Sequence, residues 1–246
     1  CDDDDPRIHP DGLGCPNPDS MVGWWRFESQ AMGSVPNEIA GNGDATLVGD
    51  AALSASGAPF GDSLFLAQPD DAADLSAAAG AFAADGTMPE SGTVEAWVRP
   101  DTPVCGMAQS CAPMIVYFGE APPSGDGFGS EAETHIMMNE TVDGFVWAAF
   151  MNSAEETCFV SGTPAVLDDW AHVALSWGPT QCSLYVDGGL VASQVKGALN
   201  PGVVSVQLGR PNAPDLRIYQ GDIDEVMFFN EERTAAEIGE DCGCSP

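Results

Sequence analysis

Short apolar stretches separated by turn residues recur along this chain, and they constrain its fold more than any other feature. Each stretch is four to eight residues long, the usual length of a β-strand, and glycine, proline and aspartate are common between them. A short helix is predicted over residues 234–239. The thirteen predicted strands cover residues 21–28, 45–48, 63–67, 92–99, 114–118, 134–138, 144–150, 157–160, 170–177, 182–186, 190–194, 203–208 and 222–229.

The side-chain pattern within these stretches indicates antiparallel pairing. From Ala171 to Trp177 the odd-numbered residues are apolar and share one face of the strand. Asp187 and Gly188 lie between two such stretches and predict a type I′ hairpin, because both central positions of that turn need positive φ. Many short strands with a single helix predict an all-β, two-sheet antiparallel sandwich rather than alternating β/α units.

The composition agrees with one large sandwich domain. Glycine and proline supply 28 and 19 of the 246 residues, as expected for a turn-rich chain. A hydrophobic share of 44% is enough to form a core and excludes a wholly disordered chain. With no internal repeat and no change of composition, we predict one domain over residues 21–246. An acidic N-terminal tail or tether precedes it over residues 1–20.

The charge balance excludes several classes of partner. Lys and Arg number 7 against 38 Asp and Glu, a formal net charge of -31. Such a chain repels phosphate backbones and anionic lipid headgroups, so nucleic acid and an electrostatically bound membrane are excluded as partners. The remaining route to a membrane is a lipid attached covalently to the chain. The chain begins with Cys1 and four aspartates, which looks like a mature bacterial lipoprotein lipidated on Cys1; a simple secreted terminus is the alternative.

The cysteines indicate an oxidising compartment. Eight cysteines without paired CxxC motifs or clustered histidines favour disulfides over a zinc site. We expect a local bridge between Cys105 and Cys111, a bridge between neighbouring strands from Cys158 to Cys182, and one from Cys15 to Cys242 or Cys244. Lipidation of Cys1 would leave an odd number of thiols. Because disulfides form in oxidising compartments, we predict an extracytoplasmic protein, either lipid-anchored at the cell surface or secreted.

Several motifs resemble those of one known family in the same order. The segments D-W-A-H-V-A at 169–174 and L-Y-V-D-G at 184–188 resemble the core of laminin-G-like domains in the concanavalin A-like lectin/glucanase superfamily. Further similar segments are G-W-W-R-F-E at 23–28, G-N-G-D-A-T-L at 41–47, G-T-V-E-A-W-V at 92–98, L-G-R at 208–210, G-D-I-D-E-V at 221–226 and T-A-A-E-I at 234–238. The resemblance implies a jelly-roll sandwich, but it does not specify a ligand.

The resemblance also implies a structural calcium ion. Its candidate ligands are Glu28 at the end of the first strand, Asn42 and Asp44 in the following loop, and Asp224 in the closing strand. The first and last strands of this fold are neighbours, so these oxygens are expected to converge. Calcium needs six to eight oxygen ligands of this kind. The alternative is that the acids are ordinary solvent-facing residues and Asn42 a turn residue.

No motif indicates catalysis strongly. Glu131, Glu133 and His135 alternate on one predicted face, but they depart from the Glu-x-Asp pattern of laminarinase-like relatives, so we favour a polar loop entering a strand. His172 is interpreted as a structural residue of its strand. We therefore predict that the protein is not an enzyme.

Aromatic residues supply the candidates for ligand binding. Sugar recognition uses an exposed aromatic ring with a few polar groups. We take Trp25, Trp147 and Trp170 as candidates, against the alternative that each packs in the core. Two functions remain open: a calcium-stabilised binding or adhesion module for a glycan or surface polymer, and a structural subunit of an extracellular assembly that contacts its own copies through the N-terminal tail.

Overall fold

Two antiparallel β-sheets pack face to face in the computed structural model of the chain. The structure describes residues 19–82, 88–101, 112–119, 134–151, 158–197, 205–210 and 217–243. The predicted all-β sandwich with one short C-terminal helix is confirmed. Cys1, most of the acidic tail, and Glu131 and Glu133 lie outside the described residues.

The strands follow one another along the chain with few interruptions. A short helix, α1 (Ala79–Phe82), follows β6, and α2 (Ala235–Asp241) follows the last strand. The strands are β1 (Met21–Trp25), β2 (Ser34–Val35), β3 (Ala45–Val48), β4 (Ala52–Ala58), β5 (Gly61–Leu66), β6 (Ala72–Asp74), β7 (Gly92–Pro100), β8 (Met114–Gly119), β9 (Thr134–Thr141), β10 (Gly144–Met151), β11 (Cys158–Pro164), β12 (Ala171–Trp177), β13 (Gln181–Val186), β14 (Gly189–Val195), β15 (Ser205–Leu208) and β16 (Gly221–Phe229).

Each sheet has eight strands. Sheet I has the order β14-β13-β12-β7-β16-β5-β4, and β1 also pairs with β16. Sheet II has the order β11-β10-β9-β8-β15-β6-β3-β2. First and last strands are therefore neighbours, as the family resemblance implied. The predicted hairpin is present, since Asp187 and Gly188 both have positive φ between β13 and β14.

Three strands were not predicted, and weak side-chain signals explain the omission. β2 has two residues and β6 three, too few for a visible alternation. β4 is built largely from alanine, serine and glycine, which have low or neutral strand preference, and its pairing with β5 makes it a strand. The predicted first strand was too long, because Phe27 adopts a positive φ of 57° beyond Trp25.

The core fills the space between the sheets and contains the largest aromatic rings. Trp25, Trp147 and Trp177 are 0%, 1% and 0% exposed. Trp25 packs edge-on against Phe228 with ring centroids 5.1 Å apart. The prediction that Trp25 and Trp147 contact a ligand is therefore wrong, because both rings point into the sandwich and present no face to solvent.

A disulfide links the two sheets at one side of the sandwich. Cys158 in β11 of sheet II is bonded to Cys182 in β13 of sheet I. The predicted pairing is confirmed, but the bridge crosses between sheets instead of joining neighbours within one sheet. Cys242 is also disulfide-bonded. Cys15, Cys105, Cys111 and Cys244 lie outside the described residues, so their predicted pairings stay predictions.

Candidate functional site

The outer face of sheet I carries an arginine that is held in place by a buried carboxylate. Arg99 in β7 lies directly opposite Asp222 in β16. Its Nη2 and Nε atoms lie 2.7 Å and 3.2 Å from Asp222 Oδ2, and the hydroxyl of Ser63 donates to Asp222 Oδ1 at 2.9 Å. Asp222 is only 2% exposed. The guanidinium group is therefore fixed at the surface by a short, charge-assisted contact.

Trp170 lies beside this arginine, just before β12. Its indole N–H donates to the carbonyl of Gly57 at 3.0 Å, and the guanidinium carbon of Arg99 lies 5.5 Å from its ring centroid. The side chain is half-buried, so part of the ring reaches solvent while its orientation is set from two directions. Of the three predicted ligand-binding tryptophans, only Trp170 is accessible to a ligand.

Phe65 adds a second accessible ring to the same face. Phe65 is paired directly with Asp222, so Phe65, Asp222 and Arg99 form one row across β5, β16 and β7. Phe65 is 37% exposed. We call Trp170, Arg99, Asp222 and Phe65 the Trp170 surface. Phe65 is not among the sequence-predicted candidates, although its position between buried Leu64 and Leu66 is the alternation that indicates an outward-facing side chain.

A second polar group on this face is sealed from solvent. Glu95 and His172 are both 0% exposed, and His172 Nε2 lies 3.2 Å from Glu95 Oε2. Burial raises the pKa of Glu95 to about 8, and burial lowers the pKa of His172 to about 4. Near pH 7 this is therefore a contact between two neutral groups and not an ion pair, which agrees with a structural role for His172.

Helix α2 closes over this part of the sheet. Ile238 packs on Ala174 and Tyr185 of β12 and β13. Arg233, just before the helix, bonds to Asp241 through Nε and Nη2 and lies over the ring of Phe229 at 4.5 Å. Burial, together with the charge of Glu95, raises the pKa of Asp241 to about 7. A reactant has no access to the Glu95–His172 pair while the helix is in place.

His135 also lies in a closed environment. It is 3% exposed and stacks on Phe150, with ring centroids 4.9 Å apart. Burial and the positive charge of Arg217 lower its pKa to about 3, so it is neutral over the physiological range. A catalytic role for this segment would also need Glu131 and Glu133, which lie outside the described residues.

Two of the four predicted calcium ligands are close to each other. Asp224 is fully buried, its Oδ2 atom has no hydrogen-bond partner, and Glu28 is near enough for its charge to act on the Asp224 carboxyl. The Glu28 carboxylate lies over the backbone of Gly61, and the N–H of Asp62 points to its Oε2 at 3.4 Å. An orphaned carboxylate oxygen beside a second carboxylate fits part of a cation site.

The other two candidates make contacts of their own. The Asn42 amide donates to the carbonyl of Val22 at 3.0 Å. Asp44 accepts the backbone N–H of Asn37 at 3.1 Å and the hydroxyl of Ser34 at 3.4 Å. Among the described residues, no group of three or more acidic, histidine or cysteine side chains is placed to hold a metal ion. The predicted set of four therefore divides between two places.

Comparison with known sequences identifies one family. A laminin-G family model, described as the concanavalin A-like lectin/glucanases superfamily, matches residues 72–239. A search of curated proteins finds no significant match. In the part of the chain that the structure describes, no helix is long and apolar enough to cross a membrane.

Comparison with solved structures finds the same fold in carbohydrate-active and toxin proteins. Domain 4 of AbnA, an extracellular GH43 arabinanase from Geobacillus stearothermophilus solved with arabinotriose, is similar with a TM-score of 0.64 and 16% identity over 91% of this chain and 98% of that domain. The binding domain of botulinum neurotoxin serotype G gives 0.65 at 10% identity, over 90% of this chain and 50% of that one.

Trypanosoma rangeli sialidase, solved with a 2,3-difluorosialic acid covalent intermediate, gives a TM-score of 0.62 at 16% identity. The match covers 91% of this chain but 32% of the sialidase, so this chain spans about a third of that enzyme. At these identities the likeness shows a shared fold.

Proposed function

The chain belongs to the concanavalin A-like lectin/glucanase superfamily, and from that premise we propose that it is a non-enzymatic, extracytoplasmic module that binds a glycan at the Trp170 surface. The observation that carries this proposal is the state of Trp170. Its ring is partly exposed, and it is held by Gly57 and Arg99 before any ligand arrives. A pre-oriented ring loses little side-chain entropy when a sugar stacks on it.

The other groups of the Trp170 surface supply what sugar binding needs. Phe65 provides a second apolar contact area on the same face. Arg99 donates hydrogen bonds from a group whose position is fixed by Asp222. Sugar hydroxyls need fixed polar partners of this kind, since flat apolar rings alone give little orientation. The AbnA domain, which spans nearly the same length as this chain, was solved with arabinotriose, and this supports a saccharide as ligand.

The burial of Glu95, His172 and His135 supports a non-catalytic role. A general acid or base must come within hydrogen-bond reach of a substrate. Glu95 and His172 are 0% exposed, and His135 is 3% exposed. None of these three groups is open to solvent.

The disulfides support the extracytoplasmic location. The Cys158–Cys182 bridge and the bonded Cys242 are typical of proteins that mature in an oxidising compartment. The similar AbnA domain comes from an extracellular enzyme. A lipid on Cys1 stays a prediction, and intact mass analysis of the protein expressed in its native host would test it.

A glycan array followed by calorimetry tests the proposal. We expect at least one oligosaccharide to bind, arabinotriose being the first probe, and Trp170→Ala to weaken that binding about tenfold or more, because a stacked ring contact contributes on the order of 1.4 kcal/mol. Phe159→Ala is the matched control: this ring is 41% exposed but lies on β11 of sheet II.

Three results bear against the proposal. Absence of any glycan ligand, together with a defined oligomer by native mass spectrometry, would favour the structural-subunit alternative. Equal losses in the Trp170 and Phe159 variants would place the site elsewhere or indicate a general defect. Hydrolysis of the bound glycan by the purified protein would overturn the non-enzymatic role.

We further propose that calcium, when it binds, uses Glu28 and Asp224, with Asn42 and Asp44 left in their separate contacts. These two carboxylates would be completed by water and backbone carbonyl oxygens. Calcium added to EDTA-treated protein should raise the melting temperature by several degrees, and Glu28→Gln should remove most of that gain. Asp44→Asn, with its similar size, should retain it. A melting temperature that does not change when calcium is added would contradict the proposed site.

A further inference from the structure

We propose that the Trp170 surface selects uncharged sugars and rejects sugars that carry a carboxylate, such as sialic and uronic acids. This inference rests on the proposed glycan-binding function and adds the ligand class to it. Three observations support it: Arg99 is paired with Asp222, acidic side chains border the Trp170 surface, and most of the other described cations are paired or buried.

Arg99 is the only cation in the Trp170 surface, and its charge is already matched. Nε and Nη2 both contact Oδ2 of Asp222. To bind a sugar carboxylate, Arg99 would have to share its charge with this group or leave it. Asp222 is 2% exposed and also accepts a hydrogen bond from the Ser63 hydroxyl, so departure of Arg99 would take a charged partner from a buried carboxylate. Breaking a buried ion pair in this way is strongly unfavourable.

The border of the surface is negative. Asp168 and Asp169 directly precede Trp170, and both are exposed. Asp169 Oδ1 accepts the backbone N–H of Trp170 at 3.1 Å, and the N–H of Asp168 donates to the carbonyl of Pro100 at 2.8 Å. That contact brings Asp168 to the end of β7, next to exposed Asp101. A sugar carboxylate beside the Trp170 ring would therefore approach the like charges of Asp168 and Asp169.

Most of the other basic residues of the described part are paired or buried. Arg26 pairs with Glu225 at 3.3 Å, and Arg233 pairs with Asp241. Lys196 is 4% exposed, and its ammonium donates to the carbonyls of Pro179 and Gly197 at 3.3 Å and 3.5 Å. Arg217 is 2% exposed. Arg210, beyond the end of β15 in sheet II, is half-buried. The described cations thus lie mainly in contacts within the molecule, and the surface around the site is negatively charged, like the chain as a whole.

The likeness to a sialidase does not carry its ligand over. That enzyme was solved with a sialic acid derivative, but this chain matches 32% of it at 16% identity. Recognition of a carboxylate normally uses an arginine whose guanidinium group is open to a bidentate contact. In the Trp170 surface the bidentate position is taken by Asp222.

A glycan array with neutral and acidic members, run at low ionic strength, tests the inference. We expect every glycan that binds through Trp170 to be neutral. For the tightest neutral ligand, calorimetry with its carboxylated counterpart should show binding about fivefold weaker, since two like charges roughly 8 Å away in water produce a repulsion of that order. In about 0.5 M salt the difference should shrink, because screening shortens the reach of surface charges.

A double variant, Asp168→Asn with Asp169→Asn, identifies the source of the discrimination. Asparagine has nearly the shape of aspartate and tolerates the positive φ of 60° at position 168. At position 169 its amide oxygen can still accept the N–H of Trp170. The variant should bind the carboxylated sugar about fivefold better at low salt and the neutral sugar unchanged.

The outcomes separate the two proposals. Sialylated or uronate glycans that bind as well as neutral ones through Trp170 would overturn the inference and leave the glycan-binding function in place. The same holds for a double variant whose discrimination does not change. No glycan binding at all would overturn the proposed function, and the inference with it.

Discussion

Glu95 shows how one residue can link the acidity of the medium to the stability of the fold. Its carboxyl group is fully buried beside His172, and burial raises its pKa from 4.5 to about 8. Between these two pH values the unfolded chain has lost the proton and the folded protein keeps it, so stability falls as the pH rises through this window. His172 acts in the opposite direction, since its pKa of about 4 makes the fold less stable as the pH falls below 6.5.

Glu95→Gln separates these two effects. Glutamine keeps the size of the side chain and has no proton to lose, so the variant should become more stable relative to the wild type as the pH rises from 6.5 to 8. The gain should be at most about 1.4 kcal/mol for each pH unit. Urea denaturation at a series of pH values measures it.

Glu38→Gln is the control for this series, because Glu38 is exposed. Its effect on the free energy of unfolding should stay small over the same pH range. If Glu95→Gln shows the same flat profile, the carboxyl group is not held neutral by burial.

The tryptophans show what the sequence can and cannot reveal about a site. Adjacent Trp24 and Trp25 must face opposite sides of their strand, but the sequence does not say which side is the core. Around Trp147 the strand is apolar on both faces, so alternation gives no direction. Trp170 could be separated from the other two only once the sandwich was known, because its exposure depends on Gly57 and Arg99, which lie far away in the sequence.

At the scale of the element, helix α2 is defined by its N-terminus. Thr234 Oγ1 accepts the N–H of Glu237 at 3.4 Å, and Glu237 Oε2 accepts the N–H of Thr234 at 2.8 Å. This capping box is the T-x-x-E pattern in the predicted helix, and its two side-chain oxygens accept hydrogen bonds from N–H donors that the helix itself leaves without partners. It also lowers the pKa of Glu237, chiefly through the hydrogen bonds from Thr234.

Thr234→Ala should therefore destabilise the protein by about 1 kcal/mol. Hydrogen exchange should show the loss first in α2, whose seat on Ala174 and Tyr185 covers Glu95 and His172. Thr234→Ser keeps the hydroxyl and should restore most of the stability. An alanine variant with unchanged exchange in α2 would show that Arg233 and Ile238 hold the helix without the capping box.

The elements divide into those that the sequence predicts and those that the fold imposes. β12 is predictable from its alternation, and β13 and β14 are predictable from the Asp187–Gly188 turn that joins them. β4 and β6 are imposed, because their small side chains carry little preference and their partners in the sheets decide their conformation. The disulfide was predicted as a pair, but its crossing between sheets needs the positions of β11 and β13 in three dimensions.

At the scale of the whole molecule, the net charge of -31 has a structural counterpart. Among the described residues, several cations form contacts that hold the fold together, as Arg26 does with Glu225 and Arg233 with Asp241. Most of the described acids lie at the surface. The sequence predicts that polyanionic partners are excluded, and our proposal extends this expectation to acidic glycans because Arg99 is paired with Asp222.

The predicted calcium ligands also depend on the whole fold. The resemblance supplied four residues, but their convergence depends on the loops between them. Glu28 lies near enough to Asp224 for its charge to act on it, because β5, which begins at Gly61, lies beside β16. Asn42 and Asp44 stay with Val22, Asn37 and Ser34 near the start of β1 and β2.

The central claim is that a sugar binds against the ring of Trp170, and the indole N–H signals of the six tryptophans test it most directly. In a titration of isotopically labelled protein with the glycan that binds best, followed by nuclear magnetic resonance, the Trp170 indole signal should shift in proportion to occupancy. The signals of Trp25 and Trp147, which lie in the core, should stay nearly fixed. A bound glycan that leaves the Trp170 signal unmoved would contradict the account.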